Sequence, residues 1–206
     1  NMPKDIFNIP FSDFSVKAGG QVSFRNVNLD ADMTITTSYE KTYTFGQVGD
    51  MFLGENASDQ LGSCSMSADG TIVAVGEKYY DTGKGRAAMY KYSGGSWVQM
   101  GAYIDGTVAG AYFGAAIALS EDGSIVVIGG QMSNGNIGLI RTFQYSTPGI
   151  IGGSWTQMGE VIHGVTADDY FGNYVAISND GSIIAAGAYK AKFGGTTSNE
   201  IGRAHV

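Results

Sequence analysis

A pattern of glycines recurs three times along this 206-residue chain and limits what it can fold into more than any other feature. The first glycine of each copy is Gly49, Gly101 or Gly159. A second glycine follows five residues later, and a third follows eight residues after the second. Because these offsets are identical in the three copies, the sequence predicts an array of one repeated structural unit.

Each copy continues with a turn and a series of short segments typical of β-strands. A Ser-x-Asp-Gly sequence occupies 67–70, 120–123 and 178–181, and an apolar segment rich in β-branched residues follows each time. In the first copy, the alternation and the turns predict four strands, at about 62–67, 71–76, 85–92 and 96–104. No segment keeps a helical period, so we expect an all-β chain.

The length of the repeat indicates how the strands are arranged. The first glycines are 52 residues (49 to 101) and 58 residues (101 to 159) apart, and four antiparallel strands in about 40 to 50 residues make one propeller blade. We therefore predict a β-propeller-type array of four-stranded antiparallel blades, with about three blades in this chain. The predicted parts are an amino-terminal extension (1–32), a half-blade with third and fourth strands (33–48), blade repeats 1 (49–100) and 2 (101–158), and an incomplete repeat 3 (159–206).

Three blades are too few to close a ring, since propellers typically have about four to eight. Two arrangements stay open: the chain is part of a longer propeller, or chains associate, for example two copies supplying six blades. Residues 33–48 and 159–206 read as complementary halves of one blade. We expect the longer propeller, because repeat 3 stops within its third strand.

Composition excludes several classes of partner. The chain has 12 Lys and Arg against 19 Asp and Glu, and the basic residues are scattered, so we expect no nucleic-acid partner. No apolar run approaches the roughly 20 residues that cross a bilayer, so we expect no membrane insertion. The single cysteine, Cys64, excludes an internal disulfide, and we expect it to be a buried, inert core residue.

The pairs Phe113-Gly114 and Phe171-Gly172, with Leu61-Gly62 as a weaker copy, resemble the FG-GAP repeat of integrin-α-like β-propellers over about residues 45–206. That resemblance implies a propeller in which some blades bind calcium through loops with acidic residues at alternate positions. Here each Ser-x-Asp-Gly turn offers one carboxylate, whereas a calcium site uses several. We therefore interpret these aspartates as hairpin-turn residues and predict no metal and no cofactor.

In a four-stranded blade, the loops after the second strand and the stretches between blades emerge on the same side. The sequence varies most there, so a binding surface belongs on that side. The candidate binding residues are Asp59, Tyr79, Tyr80, Asp81, Asp168, Asp169, Tyr170 and Tyr189. The tyrosines could provide stacking platforms for glycans, and the 168–170 cluster could hold a cation or a sugar. Solvated carboxylates and tyrosines that pack the loops down are the competing interpretation.

For catalysis the sequence offers little, because neither His163 nor His205 belongs to the repeat and no nucleophile elbow occurs. We predict no catalytic residues and a non-enzymatic structural or adhesive module, extracellular or on a virion surface. Its partner would be a protein or a glycan, with self-association as a route to a complete propeller. The alternatives are a virion fibre or capsid-associated structural protein and a propeller enzyme acting on polysaccharide. The enzyme would need two separated carboxylates across a cleft.

Overall fold

A computed structural model describes residues 46–54, 56 and 58–191, together with the backbone of 203–205. The chain divides into two units, Asn1–Phe45 and Gly46–Val206, and all described residues belong to the second. The predicted extension at 1–32 and residues 33–45 of the predicted half-blade lie outside the described residues.

Three antiparallel sheets follow one another along the described chain. Sheet 1 contains β1 (Leu61–Met66), β2 (Ile72–Glu77), β3 (Arg86–Ser93), β4 (Ser96–Gln99) and β5 (Ile104–Asp105). Sheet 2 contains β6 (Phe113–Leu119), β7 (Ile125–Gly130), β8 (Leu139–Tyr145) and β9 (Trp155–His163). Sheet 3 contains β10 (Phe171–Ile177), β11 (Ile184–Ala188) and β12 (Arg203–His205). Since β4 and β5 both pair with β3, they share the fourth position. The predicted four-stranded antiparallel arrangement is confirmed for sheets 1 and 2, and sheet 3 has three strands among the described residues.

Two four-residue turns lie in the loops between second and third strands: α1 (Tyr80–Gly83) and α2 (Ser133–Asn136). Their backbone is left-handed, with φ of 45° at Asp81 and 51° at Asn134, so neither is a regular α-helix. Within the part of the chain that the structure describes, no helix is long and apolar enough to cross a membrane.

The Ser-x-Asp-Gly turn builds the hairpin between first and second strands in all three sheets. Ser67 Oγ donates to Asp69 Oδ1 over 2.6 Å, and the Thr71 N–H donates to the same oxygen over 2.9 Å. These hydrogen bonds lower the pKa of Asp69 to about 2. Because Asp122 and Asp180 accept equivalent bonds, each carboxylate is the acceptor at the centre of its turn.

Adjacent sheets pack face to face, and paired glycines bring their backbones into contact. A Cβ added to Gly76 would collide with the carbonyl oxygen of Gly114 on the next sheet, and one added to Gly129 would collide with that of Gly172. Glycine is required at these positions because no side-chain atom fits between the two backbones where they touch. The spacing of the repeat glycines therefore records where successive sheets touch.

Buried apolar side chains fill the two spaces between the sheets. The cluster between sheets 1 and 2 includes Ile72, Ala74, Met89, Phe113, Ile117, Leu119 and Ile128. The cluster between sheets 2 and 3 includes Val127, Ile140, Phe171, Ala186 and Ala188. Phe113 and Phe171 are each 1% exposed, and each pairs through a backbone bridge with a glycine of the preceding sheet. The Phe-Gly pairs thus anchor one sheet to the one before it.

The tryptophan on the fourth strand binds the residue that immediately precedes its own repeat. Trp97 Nε1 donates to the Val48 carbonyl, and Trp155 Nε1 donates to the Met100 carbonyl, both over 2.8 Å. The glycine that follows each acceptor lies against the ring: a Cβ on Gly101 would be 3.1 Å from Trp155 Cδ1. The first glycine of the repeat is therefore the contact point for the indole.

The expectation that Cys64 is buried is wrong, because this thiol is exposed. Strand β1 alternates, and it directs Ser63 and Ser65 toward sheet 2: Ser63 Oγ donates to the Gly114 carbonyl, and the Leu119 N–H donates to Ser65 Oγ. Cys64 lies on the other side of β1 with Met66, which is 60% exposed. Ile117 occupies the position in β6 that is equivalent to Cys64, and it is buried because sheet 1 covers it.

Candidate functional site

Backbone hydrogen bonds gather the variable loops onto one side of the stacked sheets. The start of each sheet is clamped to the loop of the sheet before it: the Tyr112 N–H donates to the Gly83 carbonyl over 2.8 Å, and the Tyr170 N–H donates to the Asn136 carbonyl over 2.9 Å. We call this side the loop face. It comprises residues 58–60, 78–85, 106–112, 131–138, 164–170 and 189–191. These clamps make the loop face a fixed surface rather than a set of independent loops.

Two clusters of tyrosine and lysine occupy the loop face. In the first, the rings of Tyr79 and Tyr112 are 4.8 Å apart, and Lys78 Nζ lies 5.1 Å from the centre of the Tyr79 ring. Burial raises the pKa of Tyr112, and the adjacent Tyr79 hydroxyl raises it further. Tyr79 is 36% exposed, so one ring of the pair is presented to solvent while the other supports it.

The second aromatic-lysine cluster lies on sheet 3. Its rings, Tyr170 and Tyr189, are 5.3 Å apart, and Lys190 Nζ lies 4.5 Å from the Tyr170 ring centre and 5.6 Å from that of Tyr189. Tyr189 is 40% exposed. Both clusters therefore combine a half-exposed ring, a supporting ring and a cation, although Tyr79 and Tyr189 do not occupy equivalent positions in the repeat.

Tyr80, a candidate for surface stacking, lies instead against a buried charge. The Arg86 guanidinium is 3.8 Å from the centre of the Tyr80 ring and 3.8 Å from the centre of the Tyr103 ring. Arg86 Nε donates to Glu77 Oε2 over 2.9 Å, and both charged side chains are 3% exposed. Tyr80 therefore covers an ion pair beneath the loop face.

Sequence reasoning missed this ion pair, although a signal for it exists. Glu77 and Arg86 face each other across β2 and β3, where the second repeat has the apolar pair Gly130 and Leu139. The third repeat has Ala188 opposite Arg203, so only the first repeat has a carboxylate facing the guanidinium. A carboxylate and a guanidinium at facing positions on two central strands predict a buried pair, because neither charge is tolerated alone in a core.

The buried aspartates hold the loops together. Asp59 is 4% exposed, and its Oδ2 accepts from the backbone N–H of Asn56 over 2.8 Å. Its carbonyl accepts from the Tyr79 N–H, and the Asp169 carbonyl accepts in the same way from the Lys190 N–H. Asp169 is 7% exposed. Both residues tie the stretch before a sheet to the loop after its second strand.

The exposed aspartates contact polar side chains of the loop face. Asp81 contacts Lys84 Nζ at 2.6 Å, and this hydrogen bond raises the pKa of Lys84. Asp168 Oδ1 accepts from Asn136 Nδ2 over 2.8 Å. Among the described residues, no three His, Cys, Asp or Glu side chains are arranged to hold a metal ion.

A shallow groove of about 470 Å³ opens beside the first cluster, where sheets 1 and 2 meet. Glycine backbones form much of its wall, and Gln60, Ser63 and Lys78 supply polar groups. Because Lys78 borders both the groove and the Tyr79 ring, a polar ligand in the groove could also contact the aromatic cluster.

No protein-family model and no curated protein matches this chain. Among solved structures, it is similar to the crystal structure of Sqt1 from Chaetomium thermophilum, with a TM-score of 0.46 and 20% sequence identity. The match covers 65% of this chain and 32% of Sqt1, so this chain spans about a third of that protein's length.

Proposed function

We propose that this chain is a non-enzymatic interaction module, a β-propeller-type array that binds a protein or a glycan through its loop face at an extracellular or virion surface. The observation that carries the proposal is the pair of aromatic-lysine clusters, each with a half-exposed ring, Tyr79 or Tyr189, on a face that backbone hydrogen bonds hold fixed. Fixed aromatic surface costs little entropy to bury, so it favours binding.

The propeller-type part of the proposal, and its relation to FG-GAP repeats, is supported by what the Phe-Gly pairs do. Phe113 and Phe171 are buried where one sheet meets the preceding one, and the glycines after them touch Gly76 and Gly129 of that sheet. Successive four-stranded sheets joined face to face in chain order are the construction principle of a propeller.

The chemistry of the clusters suits a ligand with both apolar and polar edges. A tyrosine ring stacks on the C–H face of a sugar or on an apolar side chain, and an adjacent ammonium donates to hydroxyl, carbonyl or carboxylate oxygens. The carboxylate of Asp59 accepts a hydrogen bond from its own loop, and that of Asp168 accepts one from Asn136 in the loop of the preceding sheet. Carboxylates used in this way are suited to positioning loops, which supports a binding module over a polysaccharide-cleaving enzyme.

We expect the double variant Tyr79→Ala/Tyr189→Ala to lose binding, because each ring is the exposed half of its cluster. Truncating a hot-spot ring costs about 2 kcal/mol, roughly thirtyfold in Kd. The labelled wild-type chain is applied to a glycan microarray and to an array of extracellular-domain proteins. The strongest hit is then titrated by biolayer interferometry with both proteins.

Met158→Ala is the matched control, since Met158 is 38% exposed on β9, outside the loop face. It should bind as the wild type does. The assignment of the loop face as the binding surface would be contradicted if the double variant bound as tightly as the wild type. It would also be contradicted if the control lost as much affinity as the double variant.

A further inference from the structure

The contact between successive sheets is built twice from the same parts. The first part is a hydrogen bond between hairpin turns: the Ala68 N–H donates to the Glu121 carbonyl, and the Glu121 N–H donates to the Asn179 carbonyl, both over 2.9 Å. Each turn thus donates to the next turn along the chain through the second residue of its Ser-x-Asp-Gly sequence.

The second part is an isoleucine that packs on the turn glycine of the next sheet. A Cβ on Gly123 would lie 2.8 Å from Ile72 Cδ1, and a Cβ on Gly181 would lie 2.5 Å from Ile125 Cδ1. The third part is the backbone contact of Gly76 with Gly114, repeated by Gly129 with Gly172. A sheet therefore presents a donor amide, an isoleucine and a strand glycine to its successor.

Sheet 3 presents these three groups without a successor among the described residues. Ile183 stands in the place of Ile72 and Ile125 but is 52% exposed. Gly187 stands in the place of Gly129, yet an added Cβ would meet nothing closer than Tyr174 Cβ at 3.7 Å. No carbonyl of the described residues accepts from the Asn179 N–H.

Sheet 1 presents the complementary half. A Cβ on Gly70 would meet only Met66 Sδ, at 3.8 Å, whereas the equivalent glycines of sheets 2 and 3 lie under isoleucines. Ala68 and Gly62 are exposed, and Met66 is 60% exposed. One molecule therefore carries an open donor face on sheet 3 and an open acceptor face on sheet 1.

We propose that a second copy of this chain docks head to tail, with sheet 3 of one copy on sheet 1 of the other. Ile183 packs on Gly70, Gly187 meets Gly62, and the Asn179 N–H donates to the Ala68 carbonyl. A second copy is the occupant because its acceptor face repeats the contacts that already join sheets within the chain. Two copies carry six sheets, within the typical range for a closed propeller of about four to eight. This inference is independent of what the loop face binds.

Sedimentation equilibrium over a range of concentrations tests the proposal. The wild type should form dimers of twice the 21.6 kDa chain mass. Ile183→Glu buries a charge in the donor face and Met66→Glu buries one in the acceptor face, so each should weaken dimerisation at least about a hundredfold. Both residues are exposed in the single chain, and unchanged circular dichroism and melting will show that the variants fold.

Mixing the two variants gives the decisive comparison. Ile183→Glu retains its acceptor face and Met66→Glu retains its donor face, so the mixture should form one-to-one dimers, although neither variant dimerises alone. Gly187→Val should also fold and fail to dimerise. Ile150→Glu, at a residue 66% exposed outside both faces, should dimerise as the wild type does.

Three results would overturn the proposal. A wild-type chain that stays monomeric at every concentration would mean that another occupant, such as a further blade, covers these faces. Dimerisation that survives Met66→Glu but not Ile183→Glu, with no rescue on mixing, would indicate that sheet 3 packs on sheet 3. Dimerisation unaffected by all the face variants would place the interface elsewhere.

Discussion

Gly129→Ala should lower the free energy of unfolding by about 3 kcal/mol, the upper end of the usual cost of forcing an extra methyl group into a packed interior. The added Cβ would collide with the Gly172 carbonyl oxygen of the next sheet, and a backbone atom cannot rotate away as a side chain can. Since Gly129 is not among the residues with left-handed backbone, the cost is steric and not conformational. Urea denaturation, monitored by tryptophan fluorescence, measures this change in the free energy of unfolding.

Gly187→Ala is a control at the same position of the repeat. Its Cβ would have ordinary contacts, the nearest at 3.7 Å, and its backbone is likewise not left-handed. We expect a change within about 0.5 kcal/mol when the chain is measured as a monomer. Equal effects at the two positions would show that glycine is needed by the strand itself and not by contact between sheets.

Glu77→Ala should cost about 3 to 5 kcal/mol, because it leaves the Arg86 guanidinium buried without its carboxylate partner. The two side chains are each 3% exposed, so water cannot replace the lost oxygens without opening the structure. Thermal and urea unfolding of the variant at neutral pH measure the loss.

The double variant Glu77→Ala/Arg86→Leu should recover most of that stability. It introduces the alanine that sheet 3 has in the place of Glu77 (Ala188) and the leucine that sheet 2 has in the place of Arg86 (Leu139). An apolar replacement of a buried ion pair is often neutral or stabilising. A double-mutant cycle in which the losses add, with no recovery, would mean that the tyrosine rings around Arg86 and not the ion pair determine stability at this place.

Most of the strand order was predictable, because local sequence determines it. Strands predicted at 62–67, 71–76 and 85–92 are observed as Leu61–Met66, Ile72–Glu77 and Arg86–Ser93. Alternation and turn residues act over a few positions, so one sequence suffices to locate them. The fourth predicted strand is split into β4 and β5, whereas its counterpart β9 is continuous with an irregular register.

Side-chain environments were less predictable, because they depend on the neighbouring sheet. Cys64 and Ile117 share a place in the repeat, yet only Ile117 is covered. The candidate Asp59 is buried, and the half-buried ring of Tyr80 lies against the Arg86 guanidinium. Neither environment follows from strand alternation, since both residues lie outside the strands. The pairing of Tyr79 with Tyr112 likewise required knowing that successive sheets stack.

Amide hydrogen exchange, resolved by residue with NMR, tests most directly whether the repeats stack as successive sheets. The hydrogen bonds from Ala68 and Glu121 to the next turn should slow exchange of both amides by orders of magnitude, although they lie in surface hairpins. The amide of Asn179, which has no such acceptor among the described residues, should exchange rapidly in the monomer. Exchange of Ala68 and Glu121 as rapid as that of Asn179 would contradict the stacked array.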